Sequence, residues 1–352
     1  MANKVSIELD GGSLEVQAGI TVQKAMELSG YKISKYPEHG SLFTPCETGG
    51  CWSCTVEVNG EPKPACSTTV SQGLTIKTKL PEDYIPRRII TGFSGHPVGG
   101  VGTPWELKSK HGYIETACFA AGCNFRCPQC QNWDIAYMGS GKAFTPLEAA
   151  QLMTAAREKF SVDRMAISGG ESTLNRRWLL DYVSTLKELN PDSRARIHVD
   201  TNGSILTRDY IDELVEAGMT DVGPDLKGFY LESFVRITGV KDHDLAERYH
   251  TTAWNAVRYL IEQYKDQVFT GVGIPYNRKL MSVEELGMMG EKLFEIDPEI
   301  QVCVLDYRPE FKRLDLIKPS YEEMVAVHRV LSGKGLKTVT CQTEHGHIGP
   351  EL

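Results

Sequence analysis

Positive charge is scarce in this chain: 38 lysines and arginines stand against 46 aspartates and glutamates, a formal net charge of -8 over 352 residues. That balance removes bulk attraction to a polyanion, so nucleic acid is not an expected partner. Long apolar runs are missing as well. No stretch reaches the ~20 residues needed to cross a bilayer, and no membrane partner is expected. The opening residues MANKVSIELDGG contain no basic-then-apolar leader, which predicts a cytoplasmic protein. Short internal repeats and low-complexity tracts are also absent. The 41% apolar and 24% charged residues are ordinary for a soluble protein with a core.

Cysteine is what the sequence has in quantity, ten in all. A disulfide framework belongs to small secreted domains, and this chain shows neither property, which leaves metal or iron–sulfur ligation. The cysteines fall in two groups, Cys46 to Cys66 and Cys118 to Cys130, with Cys303 and Cys341 alone. The length suits two domains. Residues 1–80 read as a small unit: a hairpin turning at Asp10-Gly11-Gly12, a helix capped by Thr21, a cysteine-rich loop and further strands. Residues 81–111, with TGFSGHPVGGVGTP, read as a Gly/Pro-rich linker. Residues 112–352 alternate strand and helix. Strands are expected at 113–118, 164–168, 196–200, 221–225, 268–274 and 300–305. Six βα repeats predict an α/β fold with a parallel sheet, a partial (β/α)6 barrel whose chemistry collects at the C-terminal strand ends.

Cys46-x4-Cys51-x2-Cys54, with Cys66 on a returning strand, has the plant-type [2Fe–2S] spacing. A zinc ribbon is the rival, although zinc sites more often pair two C-x2-C knuckles and only one is present. The stretch CETGGCWSCTVEVNGEPKPAC resembles the N-terminal [2Fe–2S] domains of succinate dehydrogenase iron–sulfur subunits and of complex I electron-input subunits. That resemblance implies a β-grasp ferredoxin-like domain that transfers electrons.

Cys123-x3-Cys127-x2-Cys130 supplies only three thiolates to one centre, and a missing ligand is an opening for chemistry. A three-cysteine zinc site or a redox thiol pair is the plainer alternative. The sequence resembles the radical S-adenosylmethionine (SAM) superfamily, whose signature is this spacing. The resemblance implies a [4Fe–4S] cluster on these three cysteines, with SAM on the fourth iron cleaved to methionine and a 5′-deoxyadenosyl radical. It also implies that Gly169, Gly170 and Glu171 of SGGEST meet the SAM amino group, beside the backbone around Gln129 and Gln131. VDTNGS and GPDLKG resemble the corresponding segments of glycyl-radical-enzyme activases, of which pyruvate formate-lyase activating enzyme is the prototype. There Asp200, Thr201 and Asp225 would hold a monovalent cation, and Lys227 would contact the SAM carboxylate. Hard oxygen ligands suit such an ion. Arg308 stands where the activases have a histidine, and is assigned to SAM or a substrate anion.

The expected function is therefore a radical SAM oxidoreductase acting on a protein, peptide or small-molecule substrate. Its N-terminal [2Fe–2S] domain would relay electrons from an upstream donor. The rival is a two-cluster electron carrier or redox sensor without catalysis. Cys118 and Cys303 read as small buried hydrophobes. Cys341, in the polar tail TVTCQTEHGHIGPEL, is open to an auxiliary role. Arg87-Arg88 and Arg176-Arg177 read as solvated faces, and His198 as a packed or surface histidine.

Overall fold

The structure, a computed structural model, describes residues 4–108 and 112–351. The domain ends expected at residues 1, 111 and 352 fall outside the described residues. The N-terminal unit comprises β1 (Lys4–Leu9), β2 (Gly12–Gln17), α1 (Val22–Leu28), β3 (Ile33–Ser34), β4 (Leu42–Phe43), β5 (Thr55–Val58), β6 (Glu61–Pro64) and β7 (Thr75–Lys77). The β1–β2 turn puts Asp10 and Gly11 at φ 48° and 82°, the left-handed pair that a two-residue hairpin requires. Thr21 Oγ1 accepts from the Lys24 amide and starts α1. The main sheet runs β2-β1-β7-β5-β6, with β7 parallel to β1. Val5, Ile7 and Leu9 alternate inward from β1 and meet Val22, Ala25 and Met26 of α1.

The second part comprises β8 (Arg88–His96), α2 (Trp105–Lys108), β9 (Glu115–Ala120), α3 (Trp133–Ala136), β10 (Ala143–Phe144), α4 (Pro146–Phe160), β11 (Arg164–Gly169), α5 (Arg176–Leu189), β12 (Arg196–Thr201), α6 (Arg208–Ala217), β13 (Asp221–Pro224), α7 (Leu231–Thr238), α8 (His243–Tyr264), β14 (Phe269–Tyr276), α9 (Val283–Ile296), β15 (Gln301–Asp306), α10 (Tyr321–Ser332), β16 (Thr338–Thr343) and β17 (Gly346–Ile348). Strands β9, β11, β12, β13, β14, β15 and β16 pair in parallel in that order, edged by antiparallel β8 and β10 on one side and β17 on the other. The sheet is open but strongly curled: side chains from β9 and from β15 and β16 line one cavity. It is a partial barrel preceded by a small domain.

Three expectations need correction. The stretch read as linker contributes β8, which pairs with β9 from Ile90 to His96, and its remaining glycines fill the barrel floor. A methyl group at Gly102 would sit 2.5 Å from the Val222 carbonyl oxygen, and one at Gly271 2.5 Å from that of Val101. The glycines there serve close packing, not flexibility. The parallel series also extends beyond six strands to β16, where Cys341 is fully buried between Val339 and Thr343 and not in an exposed tail. Burial pushes its thiol up, which makes it inert. Finally, Arg88 is fully buried and not solvated.

Beneath the cavity lies a buried charge cluster. Arg164 joins Glu115 and Asp221, and His198 stands between Glu115 (3.5 Å) and Asp200 (3.1 Å). Burial works against the imidazolium, as does Arg164, but Asp200 and Glu115 prevail and hold it up to about 9. Removing one partner of such a pair costs ~3–5 kcal/mol, because the charge left behind is buried and uncompensated. No helix among the described residues is long and apolar enough to cross a membrane.

Candidate active site and electron-entry site

The loop after β9 carries the three-cysteine motif to the C-terminal strand ends. Cys123, Cys127 and Cys130 open onto a cavity of about 420 Å³. The Phe125 amide donates to Cys123 Sγ at 3.3 Å, and Asn202 Nδ2 lies 3.9 Å from the same sulfur. Burial pushes all three thiols up, Cys127 to about 12. They would be thiolates only with a metal bound.

The opposite walls come from successive strands. Gly169 ends β11 and Gly170 follows it, pressed against the cysteine loop. A methyl group on Gly170 would lie 2.4 Å from the Gly122 carbonyl oxygen, and Gly169 has φ 119°. Glu171 is buried and accepts four hydrogen bonds. Oε1 takes the Thr173 amide and hydroxyl and the Thr201 hydroxyl, and Oε2 takes the Asn202 amide at 2.6 Å. Each carboxylate oxygen offers about two lone-pair sites; three donors share Oε1, while Oε2, with one donor, keeps one free. Thr201 thus spends its proton on Glu171 and also accepts from the Gly203 amide.

Asp200 and Asp225 line the cavity; Asp225 Oδ1 is buried without a hydrogen bond, while Asp200 Oδ1 faces His198 Nε2 at 3.1 Å. Lys227 Nζ lies 2.8 Å from Asp225 Oδ2. Burial works against the ammonium, but Asp225 outweighs it and keeps the lysine charged. Gln131 and the exposed Arg308 also border the cavity; Gln131 Nε2 donates to the Arg308 carbonyl at 3.3 Å. Gln129 does not border it. Its side chain turns away and donates to the Ile237 carbonyl. Tyr276, at the end of β14, is likewise packed into the core and not into the cavity.

The four-cysteine loop forms a second, closed site. Cys46, Cys51, Cys54 and Cys66 are all buried, and Cys51 Sγ donates to Cys46 Sγ at 3.1 Å. That hydrogen bond lowers Cys46, while burial pushes Cys51 up. Gly49, at φ 88°, lets the loop bend around the sulfurs.

The two sites touch. A methyl group at Gly122 would lie 3.3 Å from Cys46 Sγ and 3.1 Å from the Cys51 amide nitrogen. Gly122 immediately precedes Cys123. Arg126 bridges the same gap: Nη1 donates to the Cys123 carbonyl at 2.6 Å and Nη2 to the Cys46 carbonyl. Cys46, Cys51 and Cys54 share one apolar core with Cys123, Phe125 and Leu174. Sequence reasoning missed Arg126, although it lies inside the motif between Cys123 and Cys127. It also missed Asn202 and Thr173, although they lie inside VDTNGS and SGGEST.

Residues 118–286 match the model of the radical SAM superfamily, and residues 2–81 match that of a 2Fe-2S iron-sulfur cluster binding domain. The chain carries a radical SAM domain behind a 2Fe–2S domain. Such domains bring a [4Fe–4S] cluster with SAM and a [2Fe–2S] cluster respectively, and the buried thiols and tight glycine cradle suit them. Over 99 residues, 27% of this chain and 13% of the relative, the sequence is 31% identical to the 78 kDa subunit of mitochondrial NADH-ubiquinone oxidoreductase from Neurospora crassa. Over 124 residues, 35% of each chain, it is 32% identical to a probable GTP 3′,8-cyclase from Thermoplasma volcanium. Among solved structures, Streptococcus suis SuiB bound to S-adenosylmethionine overlaps 63% of this chain and 48% of its own, at 14% identity and a TM-score of 0.49. The chain therefore spans well under two thirds of each of these proteins.

Proposed function

We propose that the radical SAM enzyme houses its own electron entry. Cys123, Cys127 and Cys130 hold its [4Fe–4S] cluster, and Cys46, Cys51, Cys54 and Cys66 hold its [2Fe–2S] cluster. The observation that carries this reading is the contact of Gly122 and Arg126 with Cys46, one to three residues from a cysteine that faces the cavity. When bound, the [4Fe–4S] cluster and SAM supply one-electron cleavage of SAM to methionine and a 5′-deoxyadenosyl radical, which takes a hydrogen atom from a protein, peptide or small-molecule substrate.

The chain's own residues bind and orient. Lys227, held charged in the wall, suits the SAM carboxylate. Gly169 and Gly170 keep the wall low, and the free lone pair of Glu171 Oε2 suits an ammonium. Asp200 and Asp225 would hold a monovalent cation beside SAM, with Thr201 acting mainly through Glu171. Gln131 and Arg308 border the same space and are assigned to SAM or a substrate anion. Gln129 contributes through its backbone. The Asp-Thr-Asn-Gly and Asp-Leu-Lys segments at adjacent strand ends favour an activase-like branch. An external low-potential donor feeds the [2Fe–2S] cluster.

Asp225→Ala and Asp200→Ala test the binding half. A charge-assisted contact is worth ~1.5–3 kcal/mol, so SAM affinity is expected to fall about 10- to 100-fold with the [4Fe–4S] spectrum unchanged. Exchanging sodium for potassium or lithium should change SAM cleavage in the wild type. Unchanged affinity in both variants would remove these residues from the site, and indifference to the alkali metal would remove the cation.

A further inference from the structure

Arg88 sits fully buried at the start of β8. Among the described residues it makes no ion pair with a carboxylate. Nη1 donates to the Ser172 carbonyl, Nη2 to those of Glu171 and Ala121, and Nε has no acceptor. Burying a permanent charge costs several kcal/mol unless an opposite charge faces it. Backbone carbonyls offset only part of that cost.

The missing counter-charge has an address. The Ile89 amide donates to the Gly50 carbonyl at 3.2 Å, and Asn175 Nδ2 donates to the carbonyls of both Cys51 and Arg87. The chain on either side of Arg88 is therefore stitched to the four-cysteine loop at Gly50 and Cys51. The guanidinium itself reaches the same loop: Nη2 donates to the Ala121 carbonyl at 3.2 Å, and a methyl group at Gly50, next to Cys51, would lie 2.9 Å from the Ala121 carbonyl carbon. The carboxylate of Glu171 is already engaged by four donors.

We propose that Arg88 is the internal counter-charge of the [2Fe–2S] cluster and holds its reduction potential up. One electron from the external low-potential donor adds one negative charge to the cluster. No proton moves and Arg88 stays cationic, so the reduced form gains more from the arginine than the oxidised form does. Arg88 is a positioning residue: it touches neither SAM nor the substrate. The inference rests on the [2Fe–2S] site alone, so it can fail while SAM cleavage stands, and the reverse.

The test is a potentiometric titration of the reconstituted full-length holoprotein, followed by EPR of the reduced [2Fe–2S] centre. Arg88→Gln and Arg88→Met are expected to shift the one-electron equilibrium at least tenfold toward the oxidised cluster, about 59 mV downward. Arg88→Lys keeps the charge and should stay near the wild-type midpoint, while the [4Fe–4S] midpoint in the same samples moves less. An unchanged midpoint in Arg88→Gln, or a fall in Arg88→Lys as large as in Arg88→Gln, would overturn the proposal. Should the neutral variants lose the cluster, pulsed EPR on protein grown with 15N-arginine decides, in an Arg126→Lys background. A coupling of the reduced centre to a guanidinium nitrogen supports the proposal, and its absence refutes it.

Discussion

A Cys54→Ala/Cys66→Ala variant is expected to cleave SAM as fast as the wild type when dithionite supplies the electron. It should lose nearly all activity when a ferredoxin-type protein must supply it. Each cleavage needs one electron at the three-cysteine site, and a small strong reductant can deliver it directly. A protein donor cannot, because the loop bearing Cys123 is covered by the four-cysteine loop through Gly122 and Arg126. Point substitution is the right tool here. Deleting everything before Tyr113 would strip β8 from β9 and remove the core shared by Cys51, Phe125 and Leu174. The competing idea, that the N-terminal domain only clamps a substrate, predicts normal SAM cleavage with either reductant and loss of substrate product. Equal cleavage by variant and wild type with the protein donor would end the relay role.

The complementary substitution acts on the other site. Cys123→Ala/Cys127→Ala/Cys130→Ala is expected to drop the iron content from about six to about two per chain and abolish 5′-deoxyadenosine formation. The [2Fe–2S] spectrum should persist, because the three substitutions remove none of its four ligands and leave Gly122 and Arg126, which contact that loop, in place. Loss of both centres together would contradict the view that the two sites load independently.

Legibility in the sequence followed locality. Ligand spacing within one loop is a local property, so both cysteine sets stood out by spacing, whereas Gly169–Glu171 was picked out only by the resemblance of SGGEST to a family segment. The βα rhythm was readable for strands whose apolar residues run continuously, such as Met165–Ile167 and Val302–Val304. Thr338–Thr343 interleaves threonine and glutamine with valine and cysteine, which conceals a buried strand. The glycine-rich stretch before β9 has no period because it plugs a barrel, and its conformation is dictated by Val222, Asp200 and Gly271 from distant strands. Arg88 looked like half of a surface Arg-Arg pair. Its burial depends on Ala121, Glu171 and Ser172, none of them near it in sequence. The same holds for Glu171, whose partners Thr201 and Asn202 arrive on β12 and the loop beyond it.

The central claim is that the electron which cleaves SAM passes through the chain itself, from the four-cysteine site to the three-cysteine site. The most direct measurement reduces the [2Fe–2S] centre of the full-length holoprotein by one electron and removes excess reductant. SAM is then added, and the EPR signal and 5′-deoxyadenosine are followed together by rapid freezing. The account predicts that the [2Fe–2S] signal decays as 5′-deoxyadenosine appears, with one SAM cleaved for each electron lost. A [2Fe–2S] signal that persists while SAM is bound, with no 5′-deoxyadenosine formed, would contradict it.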